Sequence, residues 1–149
     1  MSPPPLRIVF FGTPAFAVPT LDALLASRHR VVGVVTQPDR PRGRGHRTSD
    51  APVKARAIEA SLPILQPVTL KDPAFLSALS AFDADLGVVA AYGRILTDAV
   101  LAVPPLGLIN VHASLLPKYR GAAPVHRAVM AGDSTTGVTI MRVVKALDA

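Results

Sequence analysis

The sequence predicts an α/β fold in which a doubly wound, mainly parallel sheet is covered by helices on both faces. Short apolar runs of strand length alternate with segments of helical spacing along the 149 residues. Consecutive parallel strands need a crossover, usually a helix, so this alternation is typical of a parallel sheet. Hydrophobic residues make up 50% of the chain, which is enough to bury the core of one compact domain.

The first elements are a strand, a helix and a second strand. Residues 7–11 form a short apolar run. Residues 15–26 have helical spacing, with Phe16, Leu21, Leu24 and Leu25 on or near one face. Residues 31–35 are rich in β-branched side chains and predict the second strand.

The middle of the chain predicts two more helices around a brief strand. Residues 50–60 read as a helix with an Asp near its start and Pro52 in its first turn, where proline is tolerated. The apolar pair at 64–65 lies between two prolines and predicts a short strand. Residues 73–81 have helical character.

The last third predicts three strands and one helix. The apolar segments 86–91 and 106–111 have the length of buried strands. A helix over 123–131 and a final strand over 138–144 complete the alternating pattern.

The turn after the first strand, Gly12-Thr13-Pro14, lies where a dinucleotide-binding loop would lie. The Gly-x-Gly-x-x-Gly spacing is missing, because Pro14 and Ala15 stand where glycine would admit a pyrophosphate. A nicotinamide or flavin dinucleotide site is therefore rejected. The turn either presents backbone N–H groups to a substrate or only connects a strand to a helix.

Composition and chain patterning exclude several classes of protein. The chain has no cysteine, so it can form neither disulfides nor thiolate metal sites. No apolar run approaches the length that spans a bilayer. The N-terminal Met-Ser-Pro-Pro-Pro lacks the charged start and apolar core of a signal peptide. We expect a cytoplasmic protein with no membrane partner and no metal.

Positive charge is concentrated between residues 39 and 56. Six basic residues face two acidic ones there, so the segment carries most of the net charge of +6. Prolines and glycines interrupt it, which predicts a mobile basic loop rather than a helix. Such a loop either only solubilises the surface or contacts nucleic-acid phosphates.

Asn110 and His112 lie two residues apart at the end of an apolar run. Residues two apart in a strand share one face, so a carboxamide and an imidazole would project together. Strand ends are where open α/β sheets place their chemistry. The plain alternative is that Asn110 caps a turn and His112 is a hydrogen-bonded core residue.

The segment from Asn110 to Pro124, Asn-Val-His-Ala-Ser-Leu-Leu-Pro-Lys-Tyr-Arg-Gly-Ala-Ala-Pro, resembles the signature of the folate-dependent formyltransferases. Three further segments, Phe-Gly-Thr-Pro at 11–14, Thr-Gln-Pro-Asp-Arg-Pro at 36–41 and Ala-Tyr-Gly-Arg-Ile-Leu at 91–96, extend the likeness. A fourth, Gly-Val-Thr-Ile-Met, follows at 137–141. Ala113 stands where many members have glycine.

This resemblance implies a Rossmann-like formyltransferase fold and formyl transfer from 10-formyltetrahydrofolate. The likeness is greatest to the members whose acceptor is the α-amino group of initiator methionyl-tRNA. It implies that residues 1–149 are an incomplete N-terminal catalytic domain, without the C-terminal tRNA-binding β-barrel that members carry. We expect a monomer.

The resemblance also implies the roles of individual residues. Asn110, His112 and Asp148 would form the catalytic triad, with Asp148 supporting the histidine. Residues implied to bind the folate donor are Arg94, Ile95, Leu96, Ser114, Leu115, Leu116 and Pro117. Residues implied to contact tRNA are Arg40, Arg42, Arg44 and Arg47. For the one isoleucine and three leucines of this set, core packing is the plain alternative.

Three other functions stay open from the residues alone. The acceptor could be a small amine such as glycinamide ribonucleotide or an amino sugar nucleotide. Water could be the acceptor, which would hydrolyse the formylfolate. The chain could also be a catalytically silent fragment that binds folate or RNA. A small-amine acceptor would not call for the long arginine-glycine segment.

Overall fold

The computed structural model describes residues 4–42, 47–114 and 137–143. The strands are β1 (Arg7–Gly12), β2 (Arg30–Val35), β3 (Arg40–Arg42), β4 (Arg47–Ser49), β5 (Ile64–Leu65), β6 (Leu86–Ala90), β7 (Leu108–Ser114) and β8 (Gly137–Val143). The α-helices are α1 (Val18–Leu25), α2 (Pro52–Glu59), α3 (Pro73–Ala81) and α4 (Asp98–Leu101), and a single 3₁₀ turn spans Ala15–Ala17.

Six of these strands form the central sheet, in the order β5-β2-β1-β6-β7-β8. The first five pair in parallel, and β8 pairs antiparallel with β7 at the edge of the sheet. The chain builds outward from β1 to β2 and β5, then returns to the other side of β1 with β6 and β7. The point where the direction reverses, between β1 and β6, is the switch point of a doubly wound sheet.

Helices cover both faces of the sheet, which confirms the predicted fold class. On one face, Ala17 and Leu21 from the first helical segment and Val53 and Ala57 from α2 pack with Phe10. On the other face, Phe75 and Leu79 of α3 and Val100 of α4 pack with Phe11 and Val89. Within the described residues, no helix is long and apolar enough to cross a membrane.

The predicted elements are present with shifted ends. The first helix is a 3₁₀ turn followed by α1, because Pro19 lacks the N–H that a continuous α-helix would need and lies in the first turn of α1. The strand expected over 106–111 begins at Leu108, since Gly107 (φ +81°) closes a turn with Pro104. The short α4, capped by the Thr97 hydroxyl, was not predicted. The helix expected over 123–131 lies outside the described residues.

The described part of the predicted basic loop contains two short strands that the sequence did not predict. β3 and β4 pair antiparallel as a separate two-stranded ribbon, with Arg40 opposite Ser49 and Arg42 opposite Arg47. Pro41 is compatible with this arrangement because both strands of a two-stranded ribbon are edges. We call residues 40–42 and 47–49 the basic ribbon; residues 43–46, with Arg44, lie outside the described part of the chain.

Replacing Leu21 by Ala is expected to lower the free energy of unfolding by about 2–5 kcal/mol. Leu21 of α1 is 0% exposed and packs on the sheet, so truncation leaves a cavity. The matched control is Ile58→Ala on α2, because Ile58 is 52% exposed. Urea unfolding followed by circular dichroism measures both. Equal losses in the two variants would contradict the position of α1 on the sheet.

Candidate active site at the switch point of the sheet

Asn110 is the single polar member of a row that runs across the carboxyl edge of the parallel strands. Val35, Phe11, Val89 and Asn110 are successive partners on β2, β1, β6 and β7. The three apolar members are buried on the face covered by α3 and α4. Register therefore puts the half-buried carboxamide of Asn110 on that face, beside an apolar wall.

His112 and Ser114 follow Asn110 at two-residue intervals along β7 and share its face of the sheet. Their antiparallel partners on β8 are Thr139 and Gly137. β7 thus extends beyond the last paired residue of β6 and carries this polar series past the edge of the parallel sheet. The other proposed members of this region, Leu115, Leu116, Pro117 and Asp148, lie outside the described residues.

The Tyr92 carbonyl joins three strands at the switch point. It accepts a hydrogen bond from the Thr13 hydroxyl (3.0 Å), just after β1, and one from Gln37 Nε2 (3.2 Å), just after β2. The same Thr13 oxygen lies 3.4 Å from both the Thr36 hydroxyl and the Gln37 backbone nitrogen, which donate to it. Thr13 therefore acts as a connection between strand ends, which favours the connecting role of the Gly12-Thr13-Pro14 turn.

Arg94 is held on two sides by the protein itself. Its Nε donates to Gln37 Oε1 at 3.0 Å, and one terminal nitrogen donates to the carbonyls of Pro67 (3.1 Å) and Val68 (2.8 Å). The guanidinium thus ties the loop after β6 to the loop between β5 and α3. Arg94 was predicted to bind the folate donor, and the structure gives these three hydrogen bonds a positioning role as well.

The backbone around Tyr92 reverses sharply. Ala91 has φ +55° and Gly93 has φ +99°, so both residues beside Tyr92 are in the left-handed region. The Tyr92 ring is 1% exposed and packs edge-on against Phe11, with ring centroids 5.6 Å apart. Burial raises the pKa of the Tyr92 hydroxyl above its ordinary value. Buried packing and two hydrogen bonds hold this turn in place.

Ile95 and Leu96, also predicted to bind the donor, differ in exposure. Ile95 is 82% exposed, whereas Leu96 is partly buried against the core cluster of α3 and α4. The plain alternative of core packing therefore fails for Ile95. An exposed isoleucine next to a fixed arginine provides an apolar contact surface at the carboxyl edge of the sheet.

The start of the basic ribbon is fixed by a second polar cluster. Lys54 of α2 pairs with Asp39 (2.8 Å) and Asp50 (3.3 Å), and Gln66 donates to Asp39 (2.9 Å). The hydrogen bond from Lys54 lowers the pKa of the Asp39 carboxyl, and its partner Asp39 raises the pKa of Lys54. The charge of Lys54 is therefore paired with carboxylates of the protein itself.

Arg56 of α2 is likewise paired within the protein. It contacts Asp22 of α1 at 2.6 Å and Glu59 at 3.8 Å. Of the basic residues between 39 and 56, Lys54 and Arg56 thus stabilise the packing around α2. Among the described residues, no three His, Asp or Glu side chains cluster closely enough to hold a metal ion.

Sequence reasoning did not single out Gln37 or Gln66, and it left the role of Thr13 open. Gln37 reaches Tyr92 and Arg94 across 55 and 57 positions of the chain. No local pattern encodes contacts of that separation. The available signal was positional, because Gln37 directly follows a predicted strand at the carboxyl edge of the sheet.

The family model described as formyl transferase matches residues 6–149 of this chain. The chain belongs to the formyl transferase family. The polar series on β7 lies within the segment that carries the family resemblance.

Named formyl transferases are also similar over almost the whole chain. A methionyl-tRNA formyltransferase of Methylococcus capsulatus is 58% identical over 144 residues, and one of Chloroflexus aurantiacus is 55% identical over the same number. Each alignment covers 97% of this chain and 47% or 46% of the relative. The chain therefore spans about half the length of the curated relatives it matches.

The fold of this chain recurs among solved structures. A phosphoribosylglycinamide formyltransferase from Bacillus halodurans superposes with a TM-score of 0.60, covering 96% of this chain and 74% of that one. Sequence identity in that comparison is 21%, so the likeness concerns the fold. It agrees with the doubly wound sheet described above.

The two left-handed residues beside Tyr92 should differ in their sensitivity to substitution. Gly93→Ala is expected to cost about 1–3 kcal/mol, because alanine is strained at φ +99° and its Cβ would overlap Gln37 Nε2. Ala91→Gly should change stability by less than about 0.5 kcal/mol, since relief of left-handed strain offsets the added entropy of the unfolded chain.

Urea unfolding of the two variants checks this pair, with the wild-type protein measured in parallel. The turn would be wrongly described if Gly93→Ala were neutral, or if Ala91→Gly cost as much as Gly93→Ala.

Proposed function

We propose that this protein transfers a formyl group from 10-formyltetrahydrofolate to the α-amino group of initiator methionyl-tRNA. The observation that carries the proposal is the identity of 55–58% over 97% of the chain to proteins named methionyl-tRNA formyltransferase. The polar series of β7 and the basic ribbon supply the two chemical functions that this reaction needs. The product would be the formylated initiator tRNA, which is used in translation. We also propose that the enzyme is monomeric and cytoplasmic.

The reaction exchanges one carbon–nitrogen bond for another. The neutral acceptor amine attacks the formyl carbon, which forms the new bond and places negative charge on the formyl oxygen. Collapse of this intermediate breaks the bond to N10 of the folate, and the proton lost by the amine goes to N10. An α-amino group has a pKa of about 8, so a useful fraction is neutral near pH 7.

Asn110 is suited to stabilise the oxyanion. Its carboxamide NH₂ is a neutral donor, and its place in an apolar row lowers the local polarity, which strengthens a hydrogen bond to a developing charge. His112, two residues on and on the same face, would carry the proton from the attacking amine to N10 or donate to the oxyanion. Asp148 would orient His112 and support its charge.

The donor would lie at the carboxyl edge of β6 and β7. We assign it the segment Arg94, Ile95 and Leu96 together with Ser114, Leu115, Leu116 and Pro117. The exposed Ile95 offers an apolar surface to a flat pterin ring. Main-chain groups of the loop after β6 would pair with the amide-like edge of that ring.

The acceptor tRNA would meet the basic ribbon. Arg40, Arg42, Arg44 and Arg47 bring four positive charges to one short segment, and Arg42 and Arg47 are direct partners in its ladder. A two-stranded basic ribbon fits a nucleic-acid groove or backbone, where its charge displaces counterions. A small-amine acceptor would leave this concentration of charge without a use.

A transfer assay tests the proposal directly. Purified protein is offered formyl-labelled 10-formyltetrahydrofolate with methionyl-tRNA, with glycinamide ribonucleotide, with an amino sugar nucleotide, or with no acceptor. We expect label on methionyl-tRNA alone. Label on a small amine, release of labelled formate without acceptor, or binding without turnover would each establish one of the alternative functions instead.

Asn110→Asp and His112→Ala are expected to lower kcat/KM about 10²–10³-fold, because each removes a group that acts on the transition state. Asn110→Asp keeps the shape of the side chain but replaces the donor NH₂ by a carboxylate oxygen. Asp148→Asn should also lower the rate by removing the charge behind His112.

Steady-state kinetics and thermal unfolding of the same preparations check these variants. The expected pattern is a loss in kcat with unaltered cooperativity of unfolding. Turnover within a few-fold of wild type in Asn110→Asp or His112→Ala would remove that residue from the proposed mechanism.

Replacing Arg40, Arg42, Arg44 and Arg47 by Gln should weaken tRNA binding and flatten its dependence on salt. Each lost phosphate contact reduces the slope of log affinity against log salt by roughly one unit. Titrations at several salt concentrations measure the slope for the fourfold variant and for Arg42→Gln alone.

Arg30→Gln is the matched control for Arg42→Gln. Arg30 is an exposed arginine at the opposite end of β2 from the ribbon. Its substitution therefore removes the same charge from a different surface. We expect its slope to equal that of the wild type. An unaltered slope in the fourfold variant would show that the ribbon only solubilises the protein.

A further inference from the structure

Gln37 has all four of its polar functions engaged, although it lies in a connection outside any strand. Its backbone N–H donates to Thr13 Oγ1 (3.4 Å), and its carbonyl accepts from Gln66 Nε2 (3.1 Å). In the side chain, Nε2 donates to the Tyr92 carbonyl (3.2 Å) and Oε1 accepts from Arg94 Nε (3.0 Å).

The orientation of this carboxamide follows from its partners. Arg94 can only donate and the Tyr92 carbonyl can only accept, so the opposite orientation would face an NH₂ with a guanidinium and an oxygen with an oxygen. A carboxamide is the one short group that satisfies both neighbours at once. The aliphatic or charged side chains of similar length satisfy at most one.

The glycine at 93 makes this approach possible. A Cβ there would overlap Gln37 Nε2, and φ +99° already disfavours any other residue. Two features of the loop after β6, its left-handed backbone and its missing side chain, therefore serve the same contact. The conformation of residues 91–94 and the position of the Gln37 side chain therefore depend on each other.

We propose that Gln37 is a positioning residue for the formyl donor: by holding the Tyr92 carbonyl and the Arg94 guanidinium, it fixes the loop after β6 in the conformation that receives the folate. This inference rests on the proposed function, since it takes the segment 94–96 as part of the donor site. It adds that the connection after β2, which carries no proposed donor contact, sets the affinity for that donor.

The same residue places the donor loop and the start of the basic ribbon in one hydrogen-bonded unit. From Gln37 the bonds continue through Gln66 to Asp39, and from Asp39 to Lys54 of α2. Loss of the Gln37 side chain cuts this chain of contacts between β2 and β6. Loss of the Gln66 side chain separates the residue after β5 from Gln37 and Asp39, and leaves Tyr92, Arg94 and the Lys54–Asp39 pair bonded.

The experiment is a titration of 10-formyltetrahydrofolate into the protein, without tRNA, for Gln37→Met, Gln37→Glu and Gln66→Met. Gln37→Met keeps length and volume but loses both side-chain bonds. We expect its Kd to rise about ten-fold, which corresponds to about 1.4 kcal/mol and to one hydrogen bond with a charged partner.

Two variants separate positioning from general stability. Gln37→Glu keeps an acceptor for Arg94 Nε but turns a carboxylate oxygen towards the Tyr92 carbonyl, so its Kd should lie between those of the wild type and Gln37→Met. Gln66→Met makes the same chemical change one bond away and removes two hydrogen bonds, so its Tm should fall while its Kd stays at the wild-type value.

Each result decides between specific statements. A wild-type Kd for Gln37→Met, or equal Kd increases in Gln37→Met and Gln66→Met, would overturn the positioning role. No donor binding by the wild-type protein would instead overturn the proposed function. In turnover, Gln37→Met should raise KM for the donor and leave kcat within about two-fold, because the residue does not touch the reacting atoms.

Discussion

At a switch point, two neighbouring parallel strands send the chain away in opposite directions, and the hydrogen-bond ladder stops. The backbone groups just beyond the last pair need other partners, because a buried carbonyl without one costs about 1–3 kcal/mol. The Tyr92 carbonyl is such a group. Thr13 and Gln37, which follow β1 and β2, donate hydrogen bonds to it. The position of the loop after β6, at the carboxyl edge of the sheet, depends on these two bonds.

This arrangement explains how a loop can be both irregular and well placed. Residues 91–94 leave β6 through two left-handed conformations, which local preference alone would not maintain. The Tyr92 ring, packed on Phe11, anchors the turn from inside the core. Arg94 anchors it from outside, on the carbonyls before α3. Because Tyr92 and Arg94 are both fixed, the loop holds the next residue, Ile95, in a defined place.

The sequence predicted those parts of the molecule that local patterns encode. Apolar runs and helical spacing located every strand of the central sheet, and the helix Pro73–Ala81 has the bounds expected from its spacing. α4 was missed because four residues are too few to show a helical period. The ribbon was missed because Pro41 and the glycines are typical of loops, and only its pairing partner makes the segment a strand.

The candidate site was predictable to the same extent. The spacing of Asn110 and His112 placed them on one strand. The pairing of Asn110 with Val89 could not be predicted, because it depends on the register between strands that are distant in sequence. Gln37 lies in the segment 36–41 that resembles the family, but its contacts could not be predicted, since a glutamine has no preference that reveals partners more than fifty residues away. The roles of all the site residues stay predictions, and Asp148 and residues 115–117 lie outside the described part of the chain.

The ladder of the basic ribbon sets Arg42 directly opposite Arg47. Like charges on facing positions oppose strand pairing, and a ribbon of two three-residue strands has little else to hold it together. Because dissolved salt screens repulsion between like charges, the pairing of β3 with β4 is expected to become more favourable as ionic strength rises.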